Sequence, residues 1–302
     1  MNFKTILCAA AVCGGVTMAT AADDAVAEAE KGETEETPVV SATFALAFDS
    51  KYLSYGLVDN RDPILTPSAE ISFFDFFTLG VEAIFDTTKY GRQAGYGNRG
   101  GKYTELHPYA GISYAFSPED FEWLPTTIEV SLDYLYEYHP ECKARHGDRD
   151  PGADDDSQFW TLGIALPDLW LEPAFTIERD VIRDNGTYAN LEIGHTFNLL
   201  GEEDDTLTLR PSIAQGFGNC ERVKAYVGEC DHAANKNALM DTLVKLELGW
   251  NICDNVALSG YVGYSDFLFD RDVRRASRSY EATGRWEESW NFIGGLAVEV
   301  SF

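Results

Sequence analysis

Glu129, Asp133 and Glu137 recur at every fourth position of TTIEVSLDYLYEY, residues 126–138, in the phase opposite to Ile128, Val130, Leu132, Tyr134 and Tyr136. Side chains of an extended chain alternate between two faces, so one face is apolar and the other carries three carboxylates. A column of carboxylates sheltered from lipid favours a passing cation and disfavours an anion. Extending the phase along the chain adds Glu82, Glu105, Glu178, Glu192, Arg210, Lys245 and Glu247 as candidate pore-lining residues. Asp49, Lys51, Glu70, Asp86, His107, Glu172, Asp180 and Glu299 share that phase. Bases are far fewer than acids in this set, and an unpaired carboxylate is costly to bury without water, so a water-filled passage is expected. The alternative, in which these groups only hydrate an interior or pair across strands, as Arg210 can with Glu192, stays open.

Such a column needs strands to hold it. Period-2 alternation recurs at 42–51, 66–74, 78–86, 103–116, 126–138, 159–166, 171–180, 188–199, 206–217, 242–252, 256–264 and 290–302, which makes twelve segments. Short connections near Asp75, 117–125, 167–168, 199–205 and 253–255 alternate with long ones at 52–65, 87–102, 139–157, 181–187, 218–241 and 267–289. An even strand count with alternating connection lengths predicts an all-β fold, a twelve-stranded antiparallel transmembrane β-barrel with short periplasmic turns and long extracellular loops. Aromatics sort with it: Tyr138, Trp160, Phe217, Tyr264 and Trp290 fall at predicted outer ends, and Tyr114, Phe116, Phe197, Trp250 and Phe302 at inner ends, as two interfacial girdles. A soluble β-sandwich offers no reason for that sorting.

The flanking sequence fits export. Residues 1–21 have Lys4, an apolar run and small residues at Ala19 and Ala21, the anatomy of a signal peptide cut before Ala22. Cys13 sits too early in the run for a lipid anchor, and no later stretch is long and apolar enough for a membrane helix. Residues 22–38 form an acidic flexible leader, and 39–302 a single outer-membrane β-barrel. Losing Lys4 moves the net charge from −27 to −28, which excludes nucleic acid as a partner. The expected localisation is the bacterial outer membrane.

Residues 44–88, FALAFDSKYLSYGLVDNRDPILTPSAEISFFDFFTLGVEAIFDTT, resemble the start of the TorF-type porin family. The matching features are Asp49, Tyr52 and Gly56 in a D-x-x-Y-x-x-x-G region, Pro63 or Pro67 ahead of or in the second strand, and Gly80 in an apolar third strand. The resemblance implies an outer-membrane barrel. The closing strand, with Trp290, Phe292, Leu296, Val298, Val300 and terminal Phe302 in one phase, resembles the signature that barrel proteins present to their assembly machinery, an expected partner.

The expected function is therefore a porin-like channel for passive diffusion of small hydrophilic solutes, cation-preferring. The alternative is a non-conducting barrel with a surface-binding or structural role. Bases such as Arg92, Arg145, Arg222, Lys236, Arg274 and Arg285 crowd the predicted outer loops, where they are suited to lipopolysaccharide phosphates; Arg179, at a strand's outer end on the lipid phase, is the best single contact. An enzyme is not expected: His107 faces the lumen, His195 faces lipid with no serine on the same phase of the next strand, and neither position puts a nucleophile and a base within reach. Nor does an autotransporter fit, since no passenger segment precedes the strands. The loop DRDPGADDD, 148–156, lacks an EF-hand's ligand spacing, and no C-x-x-C is present, so no metal or cofactor is expected. Cys220 and Cys230 share one outer loop and are the disulfide candidate, with Cys142 as a competitor and Cys253 at the opposite rim.

Overall fold

The computed structural model describes residues 40–74, 76–88, 103–139, 156–201, 204–227, 236–278 and 290–302. The segments expected as signal and leader, 1–21 and 22–38, lie outside them. In chain order the elements are β1 (Val40–Asp49), β2 (Tyr52–Ser54), β3 (Leu57–Asn60), β4 (Ile64–Phe73), β5 (Phe77–Asp86), β6 (Tyr103–Phe116), β7 (Ile128–Glu137), β8 (Ser157–Ala165), β9 (Ala174–Asp180) and β10 (Thr187–Gly194). There follow β11 (Phe197–Asn198), β12 (Leu207–Gly218), α1 (Cys220–Val227), β13 (Ala238–Cys253), β14 (Val256–Asp266), α2 (Arg271–Arg278) and β15 (Trp290–Ser301).

Each wall strand pairs antiparallel with its neighbours, β1 pairs with both β4 and β15, and β10 pairs with β12, so the sheet closes on itself. With β11 continuing β10 past a break at His195 and Thr196, the wall has twelve strands, β2 and β3 being a separate hairpin. Closure leaves no edge whose backbone groups would face lipid. At the seam Thr43 lies opposite Ser301, and Phe302 and Ala42 exchange backbone hydrogen bonds of 2.9 and 3.1 Å.

Burial is inverted relative to a soluble sheet. Along β8, Ser157, Phe159, Thr161 and Gly163 are buried while Trp160, Leu162 and Ile164 are exposed. The same phase exposes Phe44, Val262, Phe292 and Leu296, the last at 67%. A continuous apolar outer face of this kind is stable only against hydrocarbon, which makes the molecule a membrane-spanning barrel of the bacterial outer membrane. Aromatics gather at both rims: Tyr103, Trp160, Phe217 and Trp290 at one, and Phe74, Phe76, Trp170, Trp250 and Phe302 at the other.

Two departures from the sequence expectation concern what lies inside the loops. The 52–65 connection contains the β2–β3 hairpin, and the connections after β12 and β14 contain α1 and α2. Each helix starts at a side-chain cap, Asn219 Oδ1 accepting from Arg222 N at 3.0 Å and Asp270 Oδ1 from Asp272 N at 3.0 Å.

The inner wall carries a brace used three times. Glu70, Gly80 and Tyr109 lie side by side on β4, β5 and β6; the Tyr109 ring covers Gly80 and its hydroxyl donates to Glu70 Oε2 at 2.8 Å. Tyr261 reaches over Gly295 to Asp49 Oδ1 at 2.7 Å, and Tyr188 over Gly216 to Asp241 Oδ1 at 2.9 Å. Only a residue without a Cβ lets the ring lie flat and span three strands. Gly80→Ala would drive its methyl into the Tyr109 ring, and we expect a loss of about 1–3 kcal/mol from overpacking. Tyr109→Phe keeps the ring and should cost about 1 kcal/mol. Denaturant unfolding of lipid-refolded protein compares them; an undiminished stability in Gly80→Ala would remove the brace from the account of the wall.

Candidate functional site

The alternation turns Glu105, Glu129, Glu137, Glu178, Lys245 and Glu247 inward, each less than a tenth exposed, with Glu82, Asp133, Glu192 and Arg210 in the same phase at intermediate exposure. They do not form one uniform column. Outer and inner halves of the lumen differ in kind.

The outer half is narrowed by inserted elements. The β2–β3 hairpin turns through Tyr55 and Gly56, both at positive φ (49° and 81°), the geometry of a two-residue hairpin turn. A Cβ at Gly56 would overlap Asp241, so the turn passes tight against the wall at β13. Tyr52 donates to Glu105 on β6 at 3.0 Å, and Tyr55 donates to Glu178 on β9, so the hairpin crosses the lumen from β1. Around Tyr55 an apolar cluster assembles from Leu57, Tyr188, Val223, Tyr226, Val227, Met240, Phe267, Val273 and Ala276, drawing on the hairpin, both helices and the wall. A second cluster of Tyr52, Ile64, Ile84, Leu135 and Phe159 packs beside it.

Arg222 of α1 is fully buried at the centre of this assembly. Its guanidinium lies 3.2 Å from Glu178 and 3.5 Å from Asp184, with the rings of Tyr55 and Tyr226 at 4.6 and 5.1 Å. Burial works against the charged arginine, yet Tyr55, Tyr226 and the two carboxylates outweigh it and hold its pKa above the ordinary value. Burial pushes the Asp184 carboxyl up, and Arg222 offsets that only in part. Arg222, expected from its loop position among the bases suited to lipopolysaccharide, is turned inward instead. Lys236 and Arg274 are likewise engaged locally, Lys236 with Asp270 and Asp272 at 3.0 and 2.9 Å and Arg274 with Asp266 at 2.8 Å.

Histidines and carboxylates meet on the wall beside the plug. His107 sits between Glu82 and Glu105, at 3.5 and 3.2 Å, and His139 between Glu105 and Glu137, at 3.7 and 3.0 Å. Alternation assigns His107 to the lumen, but nothing in the pattern brings in His139, which lies just past the end of β7.

Below the plug the wall is acidic and its acids are served by hydroxyls. Tyr109 and Ser72 serve Glu70, Ser131 serves Asp133 and Ser301 serves Glu299, while Tyr261 serves Asp49 level with the hairpin. The bases here are already committed, Arg210 to Glu172 and Glu192 and Lys245 to Glu247 at 2.8 Å. Tyr109 and Tyr261 share the lumen phase that singled out the acids, and that phase is the signal by which they could have been found.

Arg179 points outward at the rim beside Trp160, donating to Thr187 Oγ1 at 2.9 Å. Cys220 opens α1 and Cys253 is exposed at the far rim, whereas Cys142, Cys230 and the acidic 148–155 stretch lie outside the described residues.

No family model and no curated protein matches the chain. Among solved structures it is similar to an outer membrane channel from Pseudomonas putida F1, at TM-score 0.46 and 11% identity over 91% of this chain and 100% of that one. It is also similar to the KdgM porin in complex with disordered oligogalacturonate, at 0.43 and 8% over 87% and 99%, and to OpdK from Pseudomonas aeruginosa, at 0.35 and 9% over 89% and 68%. At these values the likeness bears on neither solute nor mechanism.

If Arg222 anchors the plug, Arg222→Met should leave Glu178 buried without its cation, and removing one partner of a buried pair costs about 3–5 kcal/mol. Hydrogen exchange should then lose protection at 52–58 and 223–227 while the wall strands keep theirs. Unchanged protection of α1 would show that the apolar cluster alone holds the plug.

Proposed function

Taking the chain as an outer-membrane barrel of porin-like architecture, we propose that it passes small hydrophilic solutes by diffusion, with a preference for cations, through a lumen narrowed on its outer side by the hairpin and helices. The inner-half acids carry this reading. Glu70, Asp133 and Glu299 lie on the lumen phase and are held by hydroxyl donors, with no base beside them among the described residues to offset the charge they carry when ionised. Two unit charges 4 Å apart interact by about 4 kcal/mol at an effective dielectric near 20, and water and salt weaken this. A residual of about 1.4 kcal/mol still gives a tenfold bias.

The resemblance of residues 44–88 to TorF-type porins supports the same reading, since the three residues of its D-x-x-Y-x-x-x-G region lie at the lumen: Asp49 accepts from Tyr261, Tyr52 donates to Glu105 and Gly56 makes the hairpin turn. The apolar plug favours a second reading, a barrel that conducts nothing and serves a surface-binding or structural role. Under either reading Arg179 is the proposed lipopolysaccharide contact, and the outward Phe302 on the closing strand is what the assembly machinery would engage.

A reversal potential measured in a KCl gradient across a planar bilayer separates these. We expect cation preference, reduced severalfold in the triple variant Glu70→Gln, Asp133→Asn, Glu299→Gln. Anion preference, or a potential indifferent to the triple variant, would remove the inner acids from the selectivity; inserted protein without conductance would establish the second reading. A Cys220–Cys230 bridge would add about 2–3 kcal/mol by closing its short loop, and peptide mass mapping of native protein should find the pair joined. Finding both thiols alkylated under non-reducing conditions would refute that pairing.

A further inference from the structure

The Glu105 carboxylate is shared by three side chains. Its Oε2 accepts from Tyr52 at 3.0 Å and lies 3.2 Å from His107 Nε2, and its Oε1 faces His139 Nε2 at 3.7 Å. Glu137 approaches the same His139 nitrogen at 3.0 Å. The bridge between Leu106 and Tyr138 sets these neighbours together at the outer ends of β6 and β7.

We propose that Glu105, Glu137 and His139 form a binding site for a divalent first-row transition ion of the Zn²⁺ class, with His107 and Tyr52 orienting Glu105 from behind. One ligand atom from each of the three lies within 4.8 Å of the other two. Zinc bonds of about 2.0–2.2 Å require ligand atoms about 3.3–3.6 Å apart in a tetrahedron, a closure that carboxylate rotation can provide. One imidazole with two carboxylates is a nitrogen and oxygen donor set that suits zinc and its neighbours, whereas calcium takes oxygen alone.

One unpartnered atom among the proposed ligands points to the same ion. Glu137 Oε2 is buried without a hydrogen-bond partner among the described residues, and Glu137 is 5% exposed. A purely internal network would not leave so sheltered a carboxylate oxygen unsatisfied. A divalent cation neutralises Glu105 and Glu137 together and leaves a fourth position open toward the lumen. Through Tyr52 the loaded site would also tie the β2–β3 hairpin to the wall. None of this depends on whether the barrel conducts.

The test uses full-length protein, free of any histidine tag, refolded and stripped with chelator. Zn²⁺ titrated calorimetrically should bind at one site per chain, and Co²⁺ should develop visible bands of nitrogen and oxygen coordination. Glu137→Gln and His139→Gln should each weaken binding tenfold or more, and Tyr52→Phe by about tenfold, as for loss of an outer-shell partner. Heat-modifiable mobility on gels verifies that each variant is folded, and Tyr52→Phe keeps the test decisive if the ligand variants fail to refold. Absence of saturable binding by the unaltered protein, or affinity unchanged in the Glu137→Gln, His139→Gln double variant or in Tyr52→Phe, would overturn the site.

Discussion

A guanidinium with no exposed surface, in the interior of a barrel, is the constraint around which the outer half of this molecule is arranged. Transfer of an arginine charge out of water is costly by several kcal/mol even after relaxation, so Arg222 must be compensated from within the fold. Glu178 and Asp184 supply charge, and Tyr55 and Tyr226 supply aromatic faces. Those partners come from β9, from the loop after it, from the hairpin and from α1 itself. Removing the charge leaves four elements without their common reason to converge.

The wall solves a different problem. Every strand must offer lipid an apolar face while its other face carries polar groups that need partners, and neighbouring strands are too close for large side chains in every row. The Tyr–Gly–acid braces answer both needs, since the glycine yields the space that the tyrosine ring fills and the tyrosine hydroxyl satisfies a carboxylate two strands away. Below the plug this leaves acids hydrogen-bonded on the lumen face; above it, hairpin and helices bring in Phe267, Met240 and Val273.

The strands were legible because lipid imposes the alternation on every one of them. Ile128 through Glu137 shows why: a one-residue slip would put Glu129, Asp133 and Glu137 into hydrocarbon, so the pattern leaves little freedom. The plug was not legible, because no solvent sorts the two faces of a loop. Its hairpin was marked only by Tyr55-Gly56, where a tyrosine is an unusual first residue for a turn needing positive φ, and its helices only by the caps Asn219 and Asp270. Arg222 was misplaced because its composition matches a lipid-facing loop base; what pulls it inward is a carboxylate 44 residues earlier in the chain. The cluster of Glu105, Glu137 and His139 was hidden likewise, since strand pairing alone brings its members together.

The seam between β1 and β15 sets the order in which the molecule can be completed. It joins Thr43 to Ser301, 258 residues apart, so the first strand stays unpaired on one side until the last has been delivered. Joining ends so distant carries a large loop-closure entropy, and it is met by many contacts forming together rather than one at a time. The β2–β3 hairpin leaves β1 immediately beside that seam, yet its partners Glu178 and Arg222 come from β9 and α1. The hairpin can dock only when the sheet has curled far enough to bring β9 opposite β1. Curling the sheet and filling it are therefore one cooperative event, and a nascent barrel arrested before the seam closes would expose Tyr55 and Leu57 to whatever holds the open edge.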